Sequence, residues 1–244
     1  MVTRILSFTA VLALGCASLA AAATKNIDRT VPLSSAGTIE LDAHNGWIQV
    51  RTWDKPQVEI HVRIEWIGLS SSSYRYRETT VDIDNTSDRV SIRWRPADPY
   101  GWTLWSLFED GWSIGPEVHY EITAPKTARL QIHNHNASTD IRDFAGPLDL
   151  STHNGRTHVD FASFTQGSRV AMHNGSVEFE LPRSSRFNFD SRGHHAYVHS
   201  DFPPVTNATL HGRGESNVVG TVNGGGPDLR IVCHNGTVRL HSKG

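Results

Sequence analysis

From Thr38 to Leu240 the chain is written in short runs where apolar and polar residues alternate, and the runs are broken by Asn-Gly. Ile39 and Leu41 precede His44-Asn45-Gly46, and Ile48 and Val50 follow it. Alternation at period two predicts strands with one buried face. Asn-Gly between two such runs predicts a tight corner, because both residues tolerate positive φ. The unit is therefore strand, corner, strand, connection.

Between Ala128 and Leu181 the unit is written three times, about twenty residues apart. The copies read Arg129-Leu-Gln-Ile-His-Asn-His-Asn136, Asp149-Leu-Ser-Thr-His-Asn-Gly-Arg156 and Arg169-Val-Ala-Met-His-Asn-Gly-Ser176. Identical residues kept in phase are what stacked rungs produce, one strand spacing apart. The expected fold is all-β, a β-solenoid or β-helix-like stack of strand–corner–strand repeats. At this period Leu130/Leu150/Val170 and Ile132/Thr152/Met172 face inward. Asn134/Asn154/Asn174 face inward or turn the corner as an amide ladder. His133/His153/His173 and Asp140/Asp160/Glu180 face outward.

The same grammar extends in both directions. Residues 58–64 form a strand, and 81–94 a hairpin or rung pair around the turn at Asn85. After a strand at 118–123 and the three copies, Phe187 to Ser200 forms a fourth unit with Gly193 at its corner. A weaker unit spans 208–222, and the last places Leu229, Ile231 and Cys233 before His234-Asn-Gly236. Its column makes Cys233 a buried core thiol rather than a nucleophile. One stretch breaks the pattern. Residues 96–116 hold Pro99, Tyr100, Trp102, Trp105, Phe108 and Trp112 with no strand period. Such an insert is either a binding loop or an aromatic cap over an open edge. Tyr100, Trp102, Trp105 and Trp112 are its candidate contact residues.

The opening of the chain reads differently. Arg4, the apolar run Ile5–Leu14 and Ala21-Ala22-Ala23 predict a secretory signal peptide over residues 1–23, leaving 24–244 as a single β-repeat domain. A rival cleavage at Leu12-Ala-Leu-Gly-Cys16 would leave Cys16 lipidated at the envelope, and the Ala-X-Ala site is the preferred reading. Either route predicts an exported protein, periplasmic or envelope-attached. No second apolar run is long enough to span a bilayer as a helix. With 244 residues and net charge −2, no basic excess points to nucleic acid or to an anionic membrane.

Thr38-Ile-Glu-Leu, Asn45-Gly-Trp-Ile-Gln-Val, Trp53-Asp54 and Val58-Glu-Ile resemble the start of a bacterial "putative adhesin" family, exported proteins of Asn-Gly β-strand repeats. Val118-His-Tyr-Glu-Ile-Thr-Ala-Pro125, Leu148 to Gly155 and Gly224 to Ile231 resemble its later repeats. The resemblance implies a β-helix-like fold, export and no catalytic residues. The chain departs from that pattern in placing His so regularly before Asn-Gly and in its Trp-rich insert.

Three functional readings follow. The first is a non-catalytic envelope scaffold or adhesin-like recognition surface for a protein or glycan. The second is a metal- or pH-responsive protein using a histidine edge. Fourteen histidines are present, and His133, His153 and His173, with His44, His135, His158 and His234 near the same edge, are of the type that binds Zn, Cu or Ni. No cofactor is expected apart from Zn or Cu there. The third is a carbohydrate-active enzyme using Asp140, Asp160 and Glu180 as paired carboxylates. With no phosphate-binding glycine loop before a helix, and only fold-level analogy behind the carboxylates, the expectation is that the protein is not an enzyme.

Overall fold

In the computed structural model, residues 23–66, 78–96, 116–203, 208–211 and 215–244 are described. They form strands β1 (Ala23–Pro32), β2 (Thr38–Trp53), β3 (Gln57–Trp66), β4 (Thr80–Asn85), β5 (Arg89–Arg95), β6 (Glu117–Pro125) and β7 (Arg129–Phe144). These are followed by β8 (Leu148–Phe161), β9 (Ser168–Pro182), β10 (Phe187–Ser200), β11 (Ala208–His211), β12 (Glu215–Val222) and β13 (Asp228–Lys243). All belong to one open sheet that runs β1-β3-β6-β2-β7-β8-β9-β13-β10-β12-β11, with β4 and β5 branching from β2.

Six long strands, in the order β2, β7, β8, β9, β13, β10, pair parallel and in register through both halves. Parallel neighbours joined by so few residues force a bend. β8 has 14 residues and would span roughly 45 Å if straight. Residues 162–167 reach at most about 25 Å, yet they return the chain to Ser168, which packs beside Leu148 through the Leu148 N–H to Ser168 Oγ bond. Each long strand is therefore two arms meeting at the corner. The buried positions show the same break in phase: Leu148, Leu150 and Thr152 lie on one arm and Thr157, Val159 and Phe161 on the other. The inward residues of both arms join one hydrophobic cluster. At the ends of the arms away from the corner, Phe144, Phe161, Phe164, Phe187 and Phe202 form a chain of ring contacts with centroids 5.1–5.9 Å apart.

The corner demands glycine for two reasons. Gly46, Gly155, Gly175 and Gly236 have φ of 115°, 141°, 137° and 154°. A Cβ on Gly175 would also lie 1.9 Å from the carbonyl oxygen of Gly155, and one on Gly236 2.0 Å from that of Gly175. The column lets successive backbones touch.

β5 and β6 share the free edge of β2. β5 pairs with Thr38–Asp42 and β6 with Gly46–Trp53. Together they complete one more strand–corner–strand unit, whose corner is replaced by the intervening segment. The candidate residues Tyr100, Trp102, Trp105 and Trp112 lie outside the described residues, as do residues 1–22 of the expected leader 1–23.

Two registers correct the twenty-residue expectation. β7 and β8 pair with an offset of eighteen: Asn134 faces Thr152 and Asn136 faces Asn154. The cause is the connection, which spans only 145–147 after β7 against 162–167 after β8. β13 lies between β9 and β10, so the unit at 187–200 stacks on β13 and not on its predecessor in sequence.

Candidate functional site: an imidazole ridge at the corners

Each corner places one histidine outward, just before an asparagine on β2, β7, β8, β9 and β13 and just before His195 on β10. Stacked in register, the rings meet face to face. His44, His135, His153, His173 and His234 follow one another at centroid distances of 5.1, 4.8, 4.6 and 4.8 Å, with planes within 7° of parallel. His194 continues the stack beyond His234 at 5.5 Å, and Trp94 closes the other end on His44 at 4.4 Å. Six steps at the strand spacing of ~4.8 Å make a ridge of roughly 30 Å. Such ring pairs are worth about 0.5–1.5 kcal/mol each when well packed.

One residue further on runs an amide ladder. Asn136 Nδ2 donates to Asn45 Oδ1 at 3.1 Å, Asn154 to Asn136 at 2.7 Å, Asn174 to Asn154 at 2.9 Å and Asn235 to Asn174 at 3.0 Å. This is the ladder expected from sequence, but on the outer surface and with Asn136 in the place given to Asn134. Asn134 is buried instead. Its Nδ2 donates to Thr139 Oγ1 at 3.0 Å, and its Oδ1 accepts from Thr152 Oγ1 at 2.6 Å.

The histidine column is corrected in the same way. His153 and His173 are neighbours, as expected, but the ring beyond them is His135. His133 faces Asp42 and Ser151 two positions earlier. The doubled His-Asn-His-Asn of β7 hid this: only the second pair sits at the corner. His44 and His234 join the ridge, whereas His158 does not. Trp94 and His194 had no place in the sequence pattern, since neither precedes Asn-Gly.

The stacked geometry limits the chemistry. Parallel rings aim their nitrogen lone pairs side by side rather than at a common point. A metal held at about 2.0–2.1 Å from each nitrogen needs convergent donors. Among the described residues no three His, Cys, Asp or Glu side chains form a group that could hold a metal ion.

The ridge is also short of acid. Two positions before the stacked histidines stand Asp42, His133, Ser151, Ala171, Val232 and Arg192; three positions after stand Trp47, Ser138, Arg156, Ser176, Thr237 and Tyr197. Asp42 is the one carboxylate among them. Ala171 and Ser176 leave the His173 ring of β9 flanked by small residues on both sides, and Ser151 does so on one side of His153. His135, His153, His173, His194 and His234 are exposed, and His44 is half-buried. Burial lowers the His44 pKa, helped by His135 and opposed by Asp42.

The second arms carry a different arrangement. The expected acidic column Asp140/Asp160/Glu180 is split by the eighteen-residue register. Asp140 faces His158 and Asp160 faces Glu180. His158 Nδ1 lies 2.9 Å from Asp140 Oδ1, and its Nε2 lies 3.2 Å from Glu180 Oε1. Arg51 and Arg142 also bind Asp140, at 3.2 and 3.0 Å. Lys243 pairs with Asp160. Burial opposes charge on both His158 and Asp140. The hydrogen bonds outweigh it, raising the His158 pKa and lowering that of Asp140. These carboxylates are therefore held by cations.

The remaining reactive groups are similarly occupied. His61 bonds Asp28 at 2.7 Å and His241 bonds Asp201 at 3.1 Å. Cys233 is fully buried, and burial pushes its thiol up to about 11, which agrees with a core role.

No protein-family profile matches the sequence, and no curated protein does. Among solved structures, the chain is similar to a "putative cell adhesion protein" from Clostridium sporogenes, with TM-score 0.55 and 9% identity over 90% of this chain and 100% of that one. A "putative adhesin" from Parabacteroides distasonis aligns over 88% of this chain and 97% of its own, at 7% identity and TM-score 0.23. Another from Parabacteroides merdae aligns over 88% and 96%, at 8% identity and TM-score 0.23. The first carries the likeness, which is one of fold.

Proposed function

We propose that the protein is an exported, non-catalytic β-repeat protein that presents a recognition surface at the cell envelope, with its bent strands wound as a β-solenoid-like stack. The winding is supported by the parallel in-phase pairing and by connections too short for straight strands. The adhesin-like role is supported by the fold shared with the Clostridium sporogenes protein. The observation that carries it is the ridge: a row of stacked imidazoles copied on six strands, exposed on five of them and half-buried at His44. Surface residues repeated in this way offer a linear contact to a partner. The segment between Arg95 and Glu117 leaves and returns at the same corner line, so its tryptophans belong to the same proposal.

The catalytic reading gains nothing from Asp140, Asp160 and Glu180, which are held in ion pairs. The metal reading requires rings to rotate out of the stack. Recognition is tested by co-sedimentation of the purified chain with isolated bacterial envelopes. Retention that a His153→Gln/His173→Gln variant weakens is the expected result. Absence of retention at both mildly acid and neutral pH would overturn the reading.

A further inference from the structure

Resting on that reading, we propose that the partner laid along the ridge is an acidic polysaccharide, held by the edges of the stacked imidazole rings in their protonated form.

The ring faces are spent on one another, at 4.6–5.1 Å and near-parallel. Only their edges reach solvent. A nucleobase or the apolar face of a neutral sugar needs an open aromatic face to stack on, which the ridge denies along its length. Edges offer hydrogen bonds and, once protonated, charge. The ridge is also one-dimensional, and its flanks mix polar residues with the scattered apolar side chains of Ala171, Val232, Trp47 and Tyr197, which form neither the apolar centre of a flat protein interface nor a continuous face for a membrane. A linear polymer with repeated anionic groups fits a line of donors spaced one strand apart. Its hydroxyls would meet the exposed edge of the asparagine ladder and the serines at 138, 151 and 176.

The surrounding charges agree. Facing the ridge are Arg93 on β5, Asp42 on β2, His133 on β7, Arg156 on β8, and Arg192 and His195 on β10; β9 and β13 contribute uncharged residues. Arg93 and Arg192 are themselves paired with Asp84 and Asp190, and Asp42 lies at the His44 end. The central rings of β7, β8, β9 and β13 thus have no nearby acid to neutralise them. Adjacent imidazolium ions at this spacing repel one another. A polyanion relieves the repulsion, and binding therefore takes up protons. This is the converse of His158, which its own carboxylates already satisfy.

The test is titration calorimetry of the purified chain with polygalacturonate, with heparin and with neutral dextran, at about pH 5.5 and 7.5. Two buffers of different ionisation enthalpy report proton uptake. A polyanion bound about tenfold or more tightly at the lower pH, weakened by salt and accompanied by proton uptake, is expected. Polygalacturonate, which carries carboxylates alone, against heparin, which carries carboxylates and sulfates, shows whether carboxylates suffice. His153→Gln/His173→Gln should lose about tenfold in affinity while melting as a folded protein. Ser151→Asp, which leaves every ring in place, should weaken binding in the same direction. Binding independent of pH, binding equal to dextran's, or affinity unchanged in both variants would overturn the proposal. So would preferential binding to phosphatidylglycerol vesicles with both polysaccharides inert. If envelopes retain the protein and no polyanion does, this proposal fails and the recognition reading stands; if neither binds, both fail.

Discussion

The corner and the second arm of each repeat solve the same problem in opposite ways. Both must place polar side chains on parallel strands less than 5 Å apart. At the corner the solution is sameness: His on His, Asn on Asn, Gly on Gly. Uncharged groups allow this, because an amide donates upward and accepts downward and a neutral ring stacks on its copy. On the second arm the solution is complementarity: Asp140 beside His158, Asp160 with Lys243, Glu178 with His241. Ionised groups demand it, since like charges on neighbouring strands repel. One residue type shows the difference. His44 at the corner is held below its usual pKa by burial, while His158 between carboxylates is held above it. A repeated column keeps its chemistry open to an outside partner, whereas a complementary one is satisfied internally.

The largest break should come from Gly175→Ala. It adds a Cβ 1.9 Å from a backbone carbonyl at φ 137°, so neither rotamer change nor solvent exposure relieves it. A loss of about 3 kcal/mol or more in urea unfolding is expected. Asp140→Asn attacks the complementary side. It leaves Arg51, Arg142 and His158 short of an anion, and about 1–2 kcal/mol should be lost at neutral pH. The pH sign is definite. His158 has a raised pKa, so its contribution is complete below about pH 6.5 and fades as pH rises through the folded-state value. Asp140 has a lowered pKa, so its contribution is present above its ordinary 3.8 and fades as pH falls through the folded-state value. Stability curves of wild type and variant should meet as pH falls through the Asp140 folded-state value, and should narrow without meeting as pH rises through that of His158, because Arg51 and Arg142 still hold Asp140.

Asn154→Ala removes two rungs of the amide ladder at its centre and should cost about 1 kcal/mol, read by thermal melting. The smallest effect sharpens the contrast without unfolding anything. NMR titration should place His44 below 6.5 and His158 above it, with His135→Gln raising His44 and leaving His158 unmoved. If His44 and His158 titrate together, the two regions are not electrostatically distinct.

Much of this was legible in the order of residues. Alternation located the arms, Asn-Gly located most corners, and the amide ladder and the buried Cys233 follow from counting columns. Register was not. The pair His133-Asn134 and His135-Asn136 both match the motif, and only the length of the following connection decides which sits at the corner. That error displaced the acidic column too: Asp140 stands beside His158, and only Asp160 and Glu180 face each other. The place of β13 between β9 and β10 was equally hidden, because pairing across sixty residues leaves no local mark. Trp94 was invisible for a related reason: its partner His44 is set by an interrupted unit made of β5 and β6.

The position of β13 has a kinetic consequence. β9 and β10 are made before it, and both carry parallel edges with the same spacing of arms and corner. Nothing in backbone hydrogen bonding forbids β10 from docking on β9 prematurely, and a chain of near-identical rungs is prone to such shortcuts. The side chains discriminate. β13 offers Asn235 to the waiting amide of Asn174, whereas β10 offers His195 at that level. A premature pairing would leave the amide row one member short and would have to come apart before β13 could enter. The asparagines thus act as a proofreading row, penalising the wrong neighbour during assembly of a sheet whose order in space is not its order of synthesis.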